Sequence, residues 1–213
     1  FFRHFLSSFV YPGGHLKPHE IKKMIKANIK FHPAKSIIKL AIYGTKQNEG
    51  KRFGISKPEA THYLFNDLRV IRDNIETKKI FENIKDSRKN GAVYDSGGDV
   101  VRYAGDILDY LVLADLFDQK PDGKYYPKMQ NLNAMNAILK RESSFELYQG
   151  LYGQNEPDLA EIRELKNGWF KQINKDIDDM NFDSDIDSLL YFEETEVKPE
   201  LSNLREFVKD IIS

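Results

Sequence analysis

Side chains able to read a DNA duplex fall in two clusters along this chain. Arg can donate two parallel hydrogen bonds to guanine O6 and N7, and Asn can pair through two bonds with adenine N6 and N7. Lys is a point charge suited to phosphate, where it fixes register without reading sequence. The segment Ser87-Arg88-Lys89-Asn90 brings all three types together, and Arg102-Tyr103 follows it. Upstream, Lys51, Arg52 and Lys57 flank a glycine-containing stretch. The pattern offers phosphate anchors in Lys51, Arg52, Lys57 and Lys89, and base readers in Arg88, Asn90, Arg102 and Tyr103. A structural reading stands beside this one. Arg102 has Asp99 and Asp106 within helical reach, and Tyr103 has the makings of a core aromatic.

These side chains need elements to hold them. Apolar spacing predicts helices over 1–11, 19–31 and 34–45, with Pro12-Gly13-Gly14 ending the first and Pro33 the second. Ser56 is an N-cap, with Pro58 in the first turn and Glu59 completing a capping box, for a helix over 56–65. A helix over 78–88 precedes a polar loop over 87–98. Asp99 caps a helix to about residue 114, and strands over 116–118 and 124–127 flank the turn Lys120-Pro121-Asp122-Gly123. Further helices are expected over 131–140, 144–152, 159–179 and 200–212.

Three helices followed by a hairpin is the plan of a winged helix: 34–45, 56–65 and 99–114, with 116–127 as the wing and 69–98 as an insertion. In that plan the N-terminal end of the third helix faces the major groove, which puts Arg102 and Tyr103 there beside the 87–90 loop. The expected fold is mainly α with small β-hairpin wings: winged-helix-like DNA-recognition subdomains over 1–153, then an acidic helical linker over 154–213.

Charge supports a polyanion partner. The net charge of the 213 residues is only −1, but residues 1–90 hold 19 Lys and Arg against 8 Asp and Glu, while residues 91–213 hold 13 against 25. All five His lie in the basic part. Such asymmetry marks a surface for nucleic acid; the alternative is a bipolar molecule whose two parts attract each other. With no Cys, disulfides, thiolate zinc sites and Cys nucleophiles are excluded, which fits a cytoplasmic chain. No apolar run approaches the ~18 residues of a membrane span, and residues 1–12 lack the leader and cleavage site of a signal peptide. The chain opens at Phe1 on an apolar stretch and stops at Ser213 just after a helical pattern, so it reads as part of a longer protein.

Particular strings narrow the class. Phe1-Phe2, Phe9 and Tyr11-Pro12 resemble the opening of the DNA-recognition domains of type IIS restriction endonucleases and their nicking relatives. Gly54-Ile55-Ser56-Lys57, Glu59-Ala60, Tyr63 and Phe65-Asn66 are similar to a helix of that family, and Asp86-Ser87-Arg88 with Gly91 resembles its Arg-containing loop. Tyr110-Leu111, Leu113-Ala114 and Leu116-Phe117 resemble a helix end and wing, and Phe145 with Tyr148 an aromatic pair after the next helix. The likeness covers about residues 1–153. It implies sequence-specific binding of double-stranded DNA in the prokaryotic cytosol. It also implies a separate C-terminal nuclease domain beyond this chain, often of the PD-(D/E)xK type and Mg²⁺-dependent, and recognition residues preceding Phe1. No cofactor is expected in this part.

Other motifs compete poorly. Pro157-Asp158 with Glu164-Leu165-Lys166 has the letters of a PD-(D/E)xK core, but that core needs strands and 159–179 reads as helix. His19, Asn28 and His32 have the letters of an HNH nuclease without its strand-turn-helix setting. Asp183, Asp185, Asp187 and Glu194 outline a calcium loop, with Ser188 where the sharp turn needs Gly. No catalytic site is identifiable. Trp169 and Phe170 read as core or interface residues. Two alternatives remain: a non-enzymatic winged-helix transcriptional regulator, and a protein-interaction module.

Overall fold

The computed structural model describes residues 2–14, 16–94, 97–141 and 147–178. The opening aromatics form helix α1 (Phe2–Ser8). It ends earlier than the sequence suggests because Tyr11 pairs with Phe31, exchanging backbone hydrogen bonds of 2.8 and 3.0 Å. Phe31 therefore belongs to a bridge, and α2 (Pro18–Lys26) stops short of it at Asn28, which adopts φ +54°. Asn tolerates that left-handed conformation better than most residues.

Residues 34–45 are apolar almost all round, which demands a helix buried on most sides. Helix α3 (Pro33–Gln47) has Ala34, Ile37, Ile38, Leu40 and Ala41 out of solvent. Pro33 occupies its first turn, where a missing N–H costs nothing. The chain leaves α3 through Glu49 and Gly50, both at positive φ. Two residues, Ile55–Ser56, then form strand β1, too short for alternation to show in the sequence.

Ser56 and Glu59 form the expected capping box. The Glu59 amide donates to Ser56 Oγ at 3.3 Å, and the Ser56 amide to Glu59 Oε2 at 2.9 Å. The helix it starts, α4 (Lys57–Ala60), lasts one turn and then widens into a π-helical turn over Thr61–Phe65. The Asn66 amide closes that turn on the Thr61 carbonyl at 2.9 Å. The wider turn brings Tyr63, Leu64 and Phe65 together into the interior, so 56–65 is not one regular α-helix.

The 69–98 insertion contains α5 (Leu68–Ile71, extending one residue before it) and α6 (Thr77–Lys89). Four residues show no helical period, so α5 was invisible in the sequence. Helix α6 runs through Lys89, which corrects the loop reading of Ser87, Arg88 and Lys89: they form its last turn. The reason is spacing, since Ile80, Ile84 and Arg88 recur every four residues on the side facing the core.

Helix α7 (Asp99–Leu113) buries Ala104, Ile107, Leu108 and Leu111. Asp99 is its first residue rather than its cap; Gly98, at φ +99°, holds the cap position without a side-chain bond. Strands β2 (Phe117–Gln119) and β3 (Lys124–Pro127) form the expected hairpin. β1 adds to it on the far side of β3, giving an antiparallel sheet in the order β1-β3-β2. Ile55 lies opposite Tyr125 and Asp118 opposite Tyr126. Tyr125 and Pro127 point inward, whereas Lys124 and Tyr126 point outward.

Helix α3 is the centre: α6, α7, α8 (Leu132–Lys140), α1 and β3 all pack on it. α1 also lies along α7, where Phe2 stacks on Tyr110 and Phe5 meets the same ring edge to face, with centroids 5.5 and 5.6 Å apart. The last described helix, α9 (Leu159–Asp178), packs on α2 and carries Glu164 and Lys166, so neither lies on a strand. The expectations for 142–146, for Asp179, for the 183–194 loop, for the 200–212 helix and for the Trp169 and Phe170 side chains lie outside the described residues. Among the described residues, no helix is long and apolar enough to cross a membrane.

Candidate nucleic-acid interface

The first turn of α4 is the joint of the site. Glu59, set there by its capping role, is almost wholly buried. Arg88 reaches it from the end of α6 with Nε to Oε1 at 2.7 Å and Nη2 to Oε2 at 2.9 Å. The same Nη2 donates to the Gly54 carbonyl at 2.5 Å, and the guanidinium lies over the Phe53 ring at 4.6 Å. Burial by itself would raise the Glu59 pKa, but the bonds from Arg88 and Ser56 outweigh it and hold the carboxyl below its usual range. Arg88 thus ties α6 to α4 and β1. Two of its three nitrogens, Nε and Nη2, are thereby engaged inside the fold.

Next to this joint, Lys57 donates to Asp109 Oδ2 at 2.9 Å, and Tyr125 donates to Asp109 Oδ1 at 2.5 Å. Burial would lower the Lys57 pKa, but its bonds to Asp109 and Tyr125 prevail and raise it. Lys57 also lies against Gly105, where a Cβ would stand 3.1 Å from the lysine stem. The three residues link α4, α7 and β3. One turn back on α7, Arg102 lies 3.5 Å from Asp99 and over the Tyr103 ring at 5.1 Å. Tyr103 is half-buried beside Tyr11, with centroids 6.5 Å apart. Arg102 itself is exposed.

On the sheet, Arg52 pairs with Asp118 at 2.7 Å and lies 5.8 Å from the centre of the Tyr126 ring. Lys120 approaches the same ring to 4.8 Å, and the Tyr126 hydroxyl donates to Asp122 at 2.6 Å. The ring lies on Gly54, where a Cβ would come within 2.5 Å of it. Lys51 and Asn90 are exposed, and Lys89 is exposed at 4.0 Å from Asp86.

The structure therefore gathers Arg52, Lys57 and Arg88 around α4 and the sheet, with Arg102 exposed on α7 and Tyr103 half-buried next to it. Sequence reasoning missed Glu59 as the acidic partner, although the capping box had located it. It also missed Asp109, Tyr125 and Tyr126, which are brought in by β1 pairing with β3. The period-two pattern of Lys124, Tyr125, Tyr126 and Pro127 was the available signal. Among the described residues, no group of three His, Asp or Glu side chains is placed to hold a metal ion.

The fold is a helical core carrying a small three-stranded antiparallel sheet, with ion-paired Arg52, Lys57 and Arg88 around α4 and that sheet. Residues 1–170 match the protein family described as the N-terminal part of restriction endonuclease BpuJI, and the chain belongs to that family. Among solved structures it is similar to the BpuJ1 endonuclease binding domain, crystallised in complex with pyrene- and phenanthrene-modified DNA. The TM-score is 0.64 at 18% identity, over 81% of this chain and 62% of that one. This chain thus spans less than two thirds of that domain. No curated protein matches it.

Proposed function

We propose that this chain recognises a specific sequence in double-stranded DNA, as the target-recognition part of a type IIS restriction endonuclease or nicking relative. The observation that carries the reading is Arg102, exposed on α7 and held over Tyr103 at 5.1 Å. A guanidinium pre-set on an aromatic face loses little freedom when it pairs with a base edge. Support comes from membership of a restriction-endonuclease family and from the DNA-bound state of the similar binding domain.

In this reading the order α3, β1, α4, α7, β2, β3, with β1 on β3, is a winged-helix plan interrupted by α5 and α6. Lys51, Arg52, Lys57 and Lys89 anchor phosphates. Asn90, Arg102 and Tyr103 read bases, and Arg88 acts as a positioning residue that sets Lys89 and Asn90 at the end of α6. Residues 1–153 form the recognition region and 154–213 an acidic linker. Cleavage and its Mg²⁺ belong to a separate nuclease domain, in a prokaryotic cytosol.

Selection of this chain against random duplexes, followed by affinities of the winners across a salt series, tests the proposal. The expected result is an enriched asymmetric motif with log K falling as log salt rises. A palindromic motif would point instead to a dimeric regulator. Absence of binding at low salt would overturn the DNA reading.

A further inference from the structure

The exposed side of α7 is a poor phosphate binder. Asp99, Arg102 and Asp106 are exposed on it and Asp109 half-exposed, three carboxylates against one guanidinium. If α7 approaches DNA, the attraction that holds the duplex must come from another surface. The sheet supplies one. Its pleat turns Tyr125 and Pro127 into the core and leaves Lys124, Tyr126 and Lys128 on the outer face of β3. Arg52, Asp118 and Lys120 join them there around the Tyr126 ring.

The cations of this face differ in one respect. Arg52 is bound to Asp118, and Lys128 lies 2.5 Å from Asp115 and 3.3 Å from Asp118. Lys57, Lys89 and Arg102 likewise have carboxylates at 2.9, 4.0 and 3.5 Å. A cation already neutralised by a carboxylate must exchange that partner for a phosphate, so little is gained. Lys120 and Lys124 take part in no such ion pair among the described residues. They flank a turn closed by Gly123 donating to the Lys120 carbonyl at 2.9 Å and by the Lys124 amide donating to Asp122 at 3.1 Å. The turn is further tied down by the Tyr126 hydroxyl on Asp122. Asp122 feels both lysine charges, but its oxygens are turned to that hydroxyl and that amide and it forms no ion pair with either lysine among the described residues. Two ammonium groups are thus left outside any ion pair, on a stapled turn beside an aromatic ring packed onto Gly54.

We propose that the outer face of the β1-β3-β2 sheet, through Lys120 and Lys124, binds the phosphodiester backbone of duplex DNA, and that these two lysines contribute more to the electrostatic part of binding than the ion-paired Arg52 and Lys57. The proposal rests on the DNA reading above and adds to its phosphate contacts two residues that reading does not use.

The test is anisotropy of a labelled duplex of arbitrary sequence, titrated with the whole chain across a salt series. Replacing both lysines (K120Q with K124Q) should weaken binding and make the slope of log K against log salt shallower by about 1.8, at ~0.9 for each phosphate no longer neutralised. A matched pair removing the same charge elsewhere, K23Q with K39Q on α2 and α3, should leave the slope nearly unchanged. Circular dichroism melting of each variant confirms that it is folded, as expected for surface lysines. An unaltered slope in the hairpin variant, or an equal loss in both variants, would overturn the sheet-face proposal while leaving the DNA reading in place. Failure of the unsubstituted chain to bind any duplex would overturn both.

Discussion

Arg88 illustrates how one residue type supports opposite readings. In sequence it stands beside Lys89 and Asn90 like a base reader; in the fold it is clamped by Glu59 and the Gly54 carbonyl. Removing one partner of a largely buried pair strands the other, so Arg88→Ala should destabilise the domain by about 3 kcal/mol in denaturant unfolding. The pair also carries a pH signature. The Glu59 pKa is lowered in the folded state, so its contribution is complete above the unfolded value of 4.5 and is lost as pH falls through the folded value. Stability measured across that acid range should fall less steeply in Glu59→Gln than in the unsubstituted chain. Arg102 belongs to the other class. Arg102→Ala should leave the fold intact, cost about 1–3 kcal/mol of binding to the selected site, and relax selectivity at one base position. Selection repeated with that variant checks it.

At the level of elements, β1 ties the β2-β3 hairpin to the helices, and its position depends on Phe53. The Phe53 amide donates to Thr45 Oγ1 at 3.0 Å, and its ring fills the space beside Gly44 on α3. A Cβ at residue 44 would meet Phe53 Cγ at 2.5 Å and its Cβ at 2.8 Å. Because those atoms sit near the root of a fully buried side chain, they cannot swing away. Ala is the better helix former by about 1 kcal/mol, but overpacking costs about 1–3 kcal/mol. Gly44→Ala should therefore be net destabilising by thermal or denaturant melting, and Phe53→Leu in the same chain should relieve much of that loss. Element existence was legible wherever periodicity ran long, as in α3, α6 and α7. It was not legible for β1, α5 or the π-helical turn, because each is too short to repeat and is held by its neighbours.

Over the whole molecule, the charge asymmetry is partly satisfied internally. Lys22 and Lys26 of α2 converge on Glu156 at 3.0 and 2.8 Å, just before α9, which packs on α2. Their hydrogen bonds hold the Glu156 carboxyl down to about 2. The clasp is exposed, so it is screened by salt. Glu156→Lys should lower the melting temperature at low ionic strength, and the difference should vanish near ~1 M salt, where the Debye length is about 3 Å. The bipolar-molecule alternative and the polyanion-surface reading are therefore compatible: α2 meets the acidic part, while the sheet keeps lysines outside ion pairs.

Periodicity and local turn and capping signals determined the helical class, the central helix, the capping box at Ser56 and the hairpin over 117–127. These rest on local preferences and on apolar spacing, which the chain carries wherever it folds. The partners of the charged residues were decided only in three dimensions. Glu59 meets Arg88 across 29 residues, Lys57 meets Asp109 across 52 and Arg52 meets Asp118 across 66. An ion pair between distant segments leaves no periodic trace, because it depends on which helix ends and strand edges the packed core brings within reach. Tertiary structure thus separated the clamped Arg88 from the exposed Arg102 and, among the described residues, the ion-paired lysines from those outside any pair.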